Sequence, residues 1–461
     1  MSASLQAELW TLSAAELGSF YRQGVATPND ALTSILARID KVNPAVNAIV
    51  TLDREGAVAQ ARASTERFRA GAPLGPLDGI PVTVKDSIFV EGLRATWGSR
   101  LYAEHVPERD EPPIDKLRAG GAIILGKTNV PEFTSQGYTD NALFGPTRNP
   151  YDLALTPGGS SGGAVAAVAS GMGPIAMGTD GGGSIRRPAA HTGLVGFKPS
   201  RGMVPRRHGF PAILHDLEVI GPIARSVEDI LLSMDVIGGP DWRRPETEAA
   251  AARILYVPTF SGAPVDREIA ASAADIAARL AGQGHSVETA HHFDLAAPIA
   301  DVWPVISQSG LAWLMAQHKD RDDQIGPSLA EMARNGRRYS AADYLAALDA
   351  IKTVGHAFEA LFQRVDVLLT PTAAAMPWPA TEIYPGIIDG HPVGPRGHAV
   401  FTPFANALGL PAINLPARPS ASGLPIGFQF VAARGQDADL LALARVCERP
   451  AVRGGLAPEW R

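Results

Sequence analysis

The chain has 461 residues, 46% of them hydrophobic and 19% charged, enough apolar material for one large core or as many as about three smaller ones. This composition excludes a mainly disordered chain. Lys plus Arg number 41 and Asp plus Glu 47, a formal charge of -6, which leaves no basic footprint for a nucleic-acid backbone.

The N-terminal segment MSASLQAELWTLSAAELGSF has no basic lead and carries Glu8 and Glu16, so it does not read as a secretory signal. Thr27-Pro28-Asn29-Asp30 opens a helix: Thr27 can cap, Pro28 suits the first helical position and Asp30 meets the positive helix end. Leu32, Ile35, Leu36 and Ile39 follow at helical spacing, and the Ala-rich stretch 55–69 reads as a second helix. Short apolar runs at 81–84, 122–125, 367–369, 412–415 and 427–430 read as strands. Their alternation with helices predicts an α/β fold: one compact domain with a central mixed, mostly parallel twisted sheet covered by helices on both faces. The Pro-rich piece 371–403 lies between two strand candidates and reads as a functional loop rather than a linker. The single cysteine, Cys447, sits in an apolar helix-like stretch and reads as a buried thiol. No run of about 18 apolar residues occurs; the longest candidate, 164–178, is broken by Gly171, Gly173 and Pro174. A cytoplasmic protein without a membrane partner is expected.

Glycine is concentrated. Residues 158–193 hold 11 glycines in 36 positions, against 47 in 461 for the whole chain. Glycine costs conformational entropy, so such a cluster is expected to serve turns and backbone N–H groups that approach a ligand. Two short patterns in the chain do not survive physical scrutiny. Gly121 to Thr128 fits a phosphate-loop spelling, but its interior residues Ala122, Ile123, Ile124 and Leu125 belong in a buried strand. Gly159-Ser160-Ser161-Gly162-Gly163 fits a nucleophile elbow centred on Ser161, but Pro157 breaks the strand that an elbow requires.

The longer segment TPGGSSGGAVAAVASGMGPIAMGTDGGGSIRRPAAHTGLVGFKPSRGMVP, residues 156–205, closely resembles the signature of the amidase signature family. Further blocks, GPLDGIPVTVKD at 75–86, GPIARSVED at 221–229 and GLPIGFQ at 423–429, are similar to that family's motifs in the same order. The resemblance implies one amidase domain over 1–461: an N-terminal helical part (1–74), a catalytic core (75–230), a variable substrate-pocket region (231–400) and a C-terminal return to the sheet (401–461). It implies Lys85 as catalytic lysine, Ser160 as a bridging serine on a cis peptide bond and Ser184 as nucleophile. It further implies Gly181, Gly182, Gly183 and Ser184 as the oxyanion hole, with Thr179, Asp180 and Arg186 supporting that loop.

These roles suit the residue types. A serine hydroxyl needs a base, and neither motif supplies a histidine there, so the lysine must work as a neutral amine. Burial must then lower it from about 10.4 toward 7. No metal or organic cofactor is required by such a mechanism. The implied reaction is cleavage of an amide-type C–N bond other than a peptide bond, in a small carboxylic amide, an aryl amide or a carbamate (urethane). One subgroup of the family acts as the glutaminase subunit of tRNA-dependent amidotransferases and uses an arginine on a late helix. The corresponding stretch here, 348–356, has Lys352 and no arginine, which favours a stand-alone hydrolase. The reading from another class is a catalytically silent binding protein on the same fold. Candidate substrate-binding residues are Tyr138, Phe144, Arg207, Trp378 and Phe401, whose aromatics could wall an apolar cleft. A homodimer is a family-level expectation.

Overall fold

The helix starts written in the sequence form as read. Thr27 Oγ1 accepts from Asp30 N–H at 3.2 Å while the Asp30 carboxylate accepts from Thr27 N–H at 2.9 Å, a reciprocal box that opens the helix Pro28–Val46. The computed structural model describes residues 8–246, 250–319, 321–448 and 457; the first seven residues of the N-terminal segment lie outside these.

In chain order the strands are β1 (Ile49–Leu52), β2 (Pro81–Lys85), β3 (Ile123–Thr128), β4 (Ile175–Asp180), β5 (Val195–Lys198), β6 (Val219–Ala224), β7 (Arg253–Tyr256), β8 (Ser286–Thr289), β9 (Val367–Pro371), β10 (Ile387–Ile388), β11 (His391–Pro392), β12 (Ala412–Pro416) and β13 (Gly427–Ala432). The five strands expected from the sequence are β2, β3, β9, β12 and β13. All but the small β10–β11 hairpin join one sheet of eleven strands in the order β1-β3-β2-β4-β6-β5-β12-β13-β9-β7-β8. The sheet is mixed, as expected. Its parallel pairings form two blocks, β3-β2-β4 and β9-β7-β8. The centre and the β1 edge are antiparallel, six pairings against four, so the parallel share is smaller than the helix–strand alternation suggests. The reason is local: β12 and β13 are joined by the short segment 417–426, which carries no crossover helix and returns the chain antiparallel.

Successive side chains of a strand point to opposite faces, and here they feed separate cores. Ile124, Leu369, Ile413, Phe428 and Phe430 pack with the helices Val227–Ile237, Arg267–Gly282 and Asp437–Cys447. On the other face, Ile123 and Leu125 meet the helices Pro28–Val46 and Arg54–Arg69. Leu368 and Val431 there meet Pro298–Ala316 and Ala341–Phe362. Burying each such large side chain contributes about 1.5–3 kcal/mol. The N-terminal part is not wholly helical, because β1 pairs with β3 at the sheet edge. Cys447 is buried at the end of its helix, and burial pushes its thiol up to about 11. Among the described residues no helix is long and apolar enough to cross a membrane.

Candidate active site

Lys85 is the last residue of β2, whose parallel pairing with β4 sets Val84 opposite Met177. That register brings the lysine beside Thr179, where both strands end at their carboxyl side, the usual site of ligands in α/β sheets. The Lys85 side chain is fully buried. Its Nζ lies 2.8 Å from Ser160 Oγ and 2.8 Å from Thr179 Oγ1, and donates to Thr179 O at 3.2 Å. Burial pushes the amine down to about 7, against the opposing charges of Glu218 and Asp180. Near neutrality, a substantial share of it is therefore uncharged.

Ser160 follows a cis peptide bond, Gly159–Ser160, in the loop that leads into the helix Gly162–Ala169. Ser161 takes a different part: its Oγ donates to Thr179 O at 3.2 Å and its N–H donates to Ser184 O at 3.1 Å, tying the two serine loops together. The hydroxyl of Ser184 makes no hydrogen bond among the described residues. The Ser160–Lys85 link is thus formed in the resting geometry, and the Ser184–Ser160 link is not.

The turn after β4 is organised by one carboxylate. Asp180 accepts from Gly183 N–H at 2.7 Å and Ile185 N–H at 3.1 Å. Arg186 holds Asp180 in a fork, Nε to Oδ2 and Nη2 to Oδ1, both at 3.0 Å. The same guanidinium donates to Gln429 Oε1, Thr402 O and Asn406 Oδ1. Burial pushes the Asp180 carboxyl up, but the charge and hydrogen bonds of Arg186 outweigh it and hold the group well below the usual carboxylate range. Gly183 has φ 108°, and a Cβ there would meet Thr402 Oγ1 at 2.2 Å; only glycine fits this left-handed, crowded position. One sequence expectation changes here. Gly183 N–H is committed to Asp180, whereas Gly181, Gly182 and Ser184 line the adjoining cavity.

That cavity, about 660 Å³, opens over Ser184. Its walls come from 133–137, 213–218, the helices Pro298–Ala316 and Pro327–Gly336, and 383–399. The last of these lies within the Pro-rich piece 371–403, but none of the five candidate side chains lines the cavity. Trp378 and Phe401 are buried behind it, Trp378 against His398 and Phe401 against Phe260, because their apolar area is better hidden in the core than left in a wet cleft. Tyr138 presents its backbone to Gly159, and Phe144 lies under the Arg94 guanidinium. Arg207 is exposed, while its neighbour Arg206 binds both Glu111 and Glu218.

The sequence reading missed Glu218, Trp303, Arg187 and Arg396, all of which line the cavity. Only Arg187 carried a signal, as the second of a twin arginine within the signature. Glu218 is pushed up by burial and brought below its ordinary range by Arg206 and then Lys85. The discounted phosphate-loop spelling is β3, as read: Lys127 is buried and donates to Asp86 O and Ile88 O. Among the described residues no group of three or more His, Cys, Asp or Glu is placed to hold a metal.

A family model described as Amidase matches residues 30–441. Over 451 residues the chain is 34% identical to an acylamidase of Rhodococcus erythropolis, covering 94% of each protein. It is 35% identical over 479 residues to a glutamyl-tRNA(Gln) amidotransferase subunit from Moorella thermoacetica, covering 96% of this chain and 97% of that protein. Among solved structures, a bacterial aryl acylamidase of the amidase signature enzyme family matches with a TM-score of 0.87 at 30% identity, covering 96% of this chain and 97% of that one.

Proposed function

The chain belongs to the amidase signature family, and on that premise we propose that it is a stand-alone hydrolase of small amides, working through Ser184, Ser160 and Lys85. The observation that carries this reading is the buried amine of Lys85, 2.8 Å from Ser160 Oγ and lowered to about 7, beneath a cavity lined by Ser184. Ser184 Oγ attacks the carbonyl carbon as its proton passes to Ser160 Oγ, whose own proton passes to Lys85 Nζ. The Ser184 hydroxyl must turn toward Ser160 for this, an alignment that commonly tightens only with substrate bound. The oxyanion is held by N–H groups of Gly181, Gly182 and Ser184. The C–N bond then breaks, and the proton returns through Ser160 to the leaving amine. Water cleaves the acyl-enzyme by the same relay in reverse.

The subunit role carried by the amidotransferase relatives is the second reading. Against it stands the helix Ala341–Phe362, whose arginine-free stretch 348–356 contributes no residue to the cavity over Ser184. A cytoplasmic location and a homodimer belong to the same proposal, as does the extension to aryl amides and carbamates. The test is labelling by a fluorophosphonate together with turnover of p-nitroanilides, simple carboxamides, glutamine and aryl carbamates, without partner proteins. Labelling mapped to Ser184 with turnover of any member except glutamine supports the proposal. An unlabelled Ser184 favours the silent binding protein, and ammonia from glutamine alone favours the subunit.

The amine also fixes a pH dependence. Only uncharged Lys85 can accept a proton, so kcat/KM for a neutral amide should be level above about pH 8 and fall about tenfold per pH unit below 7. A profile flat down to pH 5 rules out a lysine base.

A further inference from the structure

The amine of Lys85 has three close neighbours, and their donors and acceptors are not interchangeable. Nζ faces Ser160 Oγ at 2.8 Å, Thr179 Oγ1 at 2.8 Å and Thr179 O at 3.2 Å. A neutral amine has two N–H donors and one lone pair. The Thr179 carbonyl can only accept, so it takes one N–H. With the second N–H given to Thr179 Oγ1, the lone pair is left to Ser160, as a base on that serine requires. Were the Thr179 hydroxyl to turn its own proton toward Nζ, the lone pair would be occupied and the base lost. The destination of the Thr179 proton therefore sets whether the relay can run.

Glu218 lies where it can take that proton. The antiparallel register of β4 and β6 sets Thr179 opposite Ile220, so Glu218, two residues earlier, is its diagonal neighbour. A Cβ on Gly181 would lie 3.5 Å from the Glu218 side chain, which is half-buried on the cavity wall. Glu218 Oε2 accepts from Arg206 Nη1, while Arg206 Nε donates to the buried Glu111 at 3.2 Å. Burial raises Glu218, but Arg206, Lys85 and a hydrogen bond from the Thr179 hydroxyl outweigh it, so the group is ionised at neutral pH. An ionised carboxylate only accepts, which makes Thr179 the donor. The charged groups that reach Lys85 are Glu218 ahead of β6, Asp180 at the end of β4 and Arg206 between β5 and β6. Asp180 is held by Arg186, and Lys127 on the neighbouring β3 donates to Asp86 O and Ile88 O. The helix Gly162–Ala169 carries no ionisable side chain.

We propose that Glu218 is a positioning residue of the relay: by taking the Thr179 hydroxyl proton, it fixes the hydrogen bonds in one direction and keeps the Lys85 lone pair on Ser160. Its negative charge also favours the ammonium that forms when Lys85 accepts the proton. This inference rests on the amidase reading and deepens it, since it sets a carboxylate, acting through Thr179, behind the base.

The test follows the second-order rate at which a neutral fluorophosphonate labels Ser184 across about pH 5 to 9, a readout that needs no known substrate. In Glu218→Gln the amide oxygen stays with Arg206, which turns the NH2 group toward Thr179 and reverses the hydroxyl. Arg206 keeps Glu111 in this variant, so the wall is retained. The plateau rate should fall about 10- to 100-fold. The acid limb should move down by about one pH unit, because Lys85 has lost an anion that favours its charged form. Glu218→Asp keeps the charge and should return the limb toward its wild-type position. Thr179→Val removes the hydroxyl at nearly constant shape and should lower the plateau by a similar factor. Combining Thr179→Val with Glu218→Gln should add little to either loss, since both act on one hydrogen bond. An acid limb that stays in place in Glu218→Gln, or single losses that multiply in the double variant, overturns the inference and leaves the amidase reading intact. Wild-type Ser184 that does not label, or labels equally at both ends of the pH range, removes the amidase reading and this inference with it.

Discussion

Ser184→Ala should lower kcat by about 10⁴-fold or more for whichever amide the protein hydrolyses, while the melting temperature stays within about 2 °C of the wild type. The size of the loss follows from removing the atom that forms the acyl bond, because members of a catalytic unit are not additive and losing one disables the rest. The small effect on stability follows from the geometry. Ser184 is 7% exposed on a cavity wall and its hydroxyl has no hydrogen-bond partner among the described residues, so its removal leaves no buried group unsatisfied. Ser160→Ala should differ in kind. Lys85 would keep its contacts with Thr179 Oγ1 and Thr179 O, and a loss of about 10²–10⁴-fold is expected for a relay serine whose neighbours stay in place. Steady-state ammonia release and a thermal melt on each purified variant decide the matter. More than about one per cent of wild-type activity in Ser184→Ala would remove that residue as nucleophile.

The chemistry of the site was readable because its members lie in short, ordered motifs. Lys85 ends an apolar strand, and the Gly-Ser turns around Ser160 and Ser184 advertise close backbone approaches. The cavity was not readable in that way. Its walls are contributed by segments as far apart as 133–137 and 383–399, and which side chains of a loop face inward is settled by long-range packing. The aromatic residues Trp378 and Phe401 drew attention as wall material, yet their size is the reason they are buried behind the wall. Arg187 was overshadowed by Arg186: one sequence position separates a guanidinium whose bonds are all internal from one left open to the cavity. The committed N–H of Gly183 was equally hidden, since the sequence shows three like glycines and only the fold reveals that Asp180 reaches one of them. The sheet shows the same division. Strand positions were legible from apolar runs, but the antiparallel centre depends on which strands become neighbours across long stretches of chain, as β5 and β12 do.

Arg186→Met should cost about 3–5 kcal/mol of stability at pH 7.5 and abolish measurable turnover, because it strips the partner from a fully buried carboxylate. Asp180 would lose both arms of the fork, and Gln429, Thr402 O and Asn406 would each lose a donor. Arg186→Lys should not rescue the protein, since a single ammonium cannot reach both Asp180 oxygens and the other three acceptors in one plane. The pH dependence identifies the cause. In the wild type the Asp180 carboxyl titrates below its ordinary value, so its contribution is present above about pH 4 and fades only as the pH falls further. Without Arg186, burial should outweigh the lowering that Lys198, Asn406 and the Gly183 and Ile185 N–H groups still supply, and raise Asp180. Protonation then relieves the stranded charge as the pH falls, and the deficit relative to wild type should narrow. Urea midpoints at pH 7.5 and pH 5 measure this directly. A deficit of equal size at both values would trace the damage to lost packing rather than to Asp180, and a deficit below about 1 kcal/mol would mean that the turn carrying Ser184 is held by something other than this ion pair.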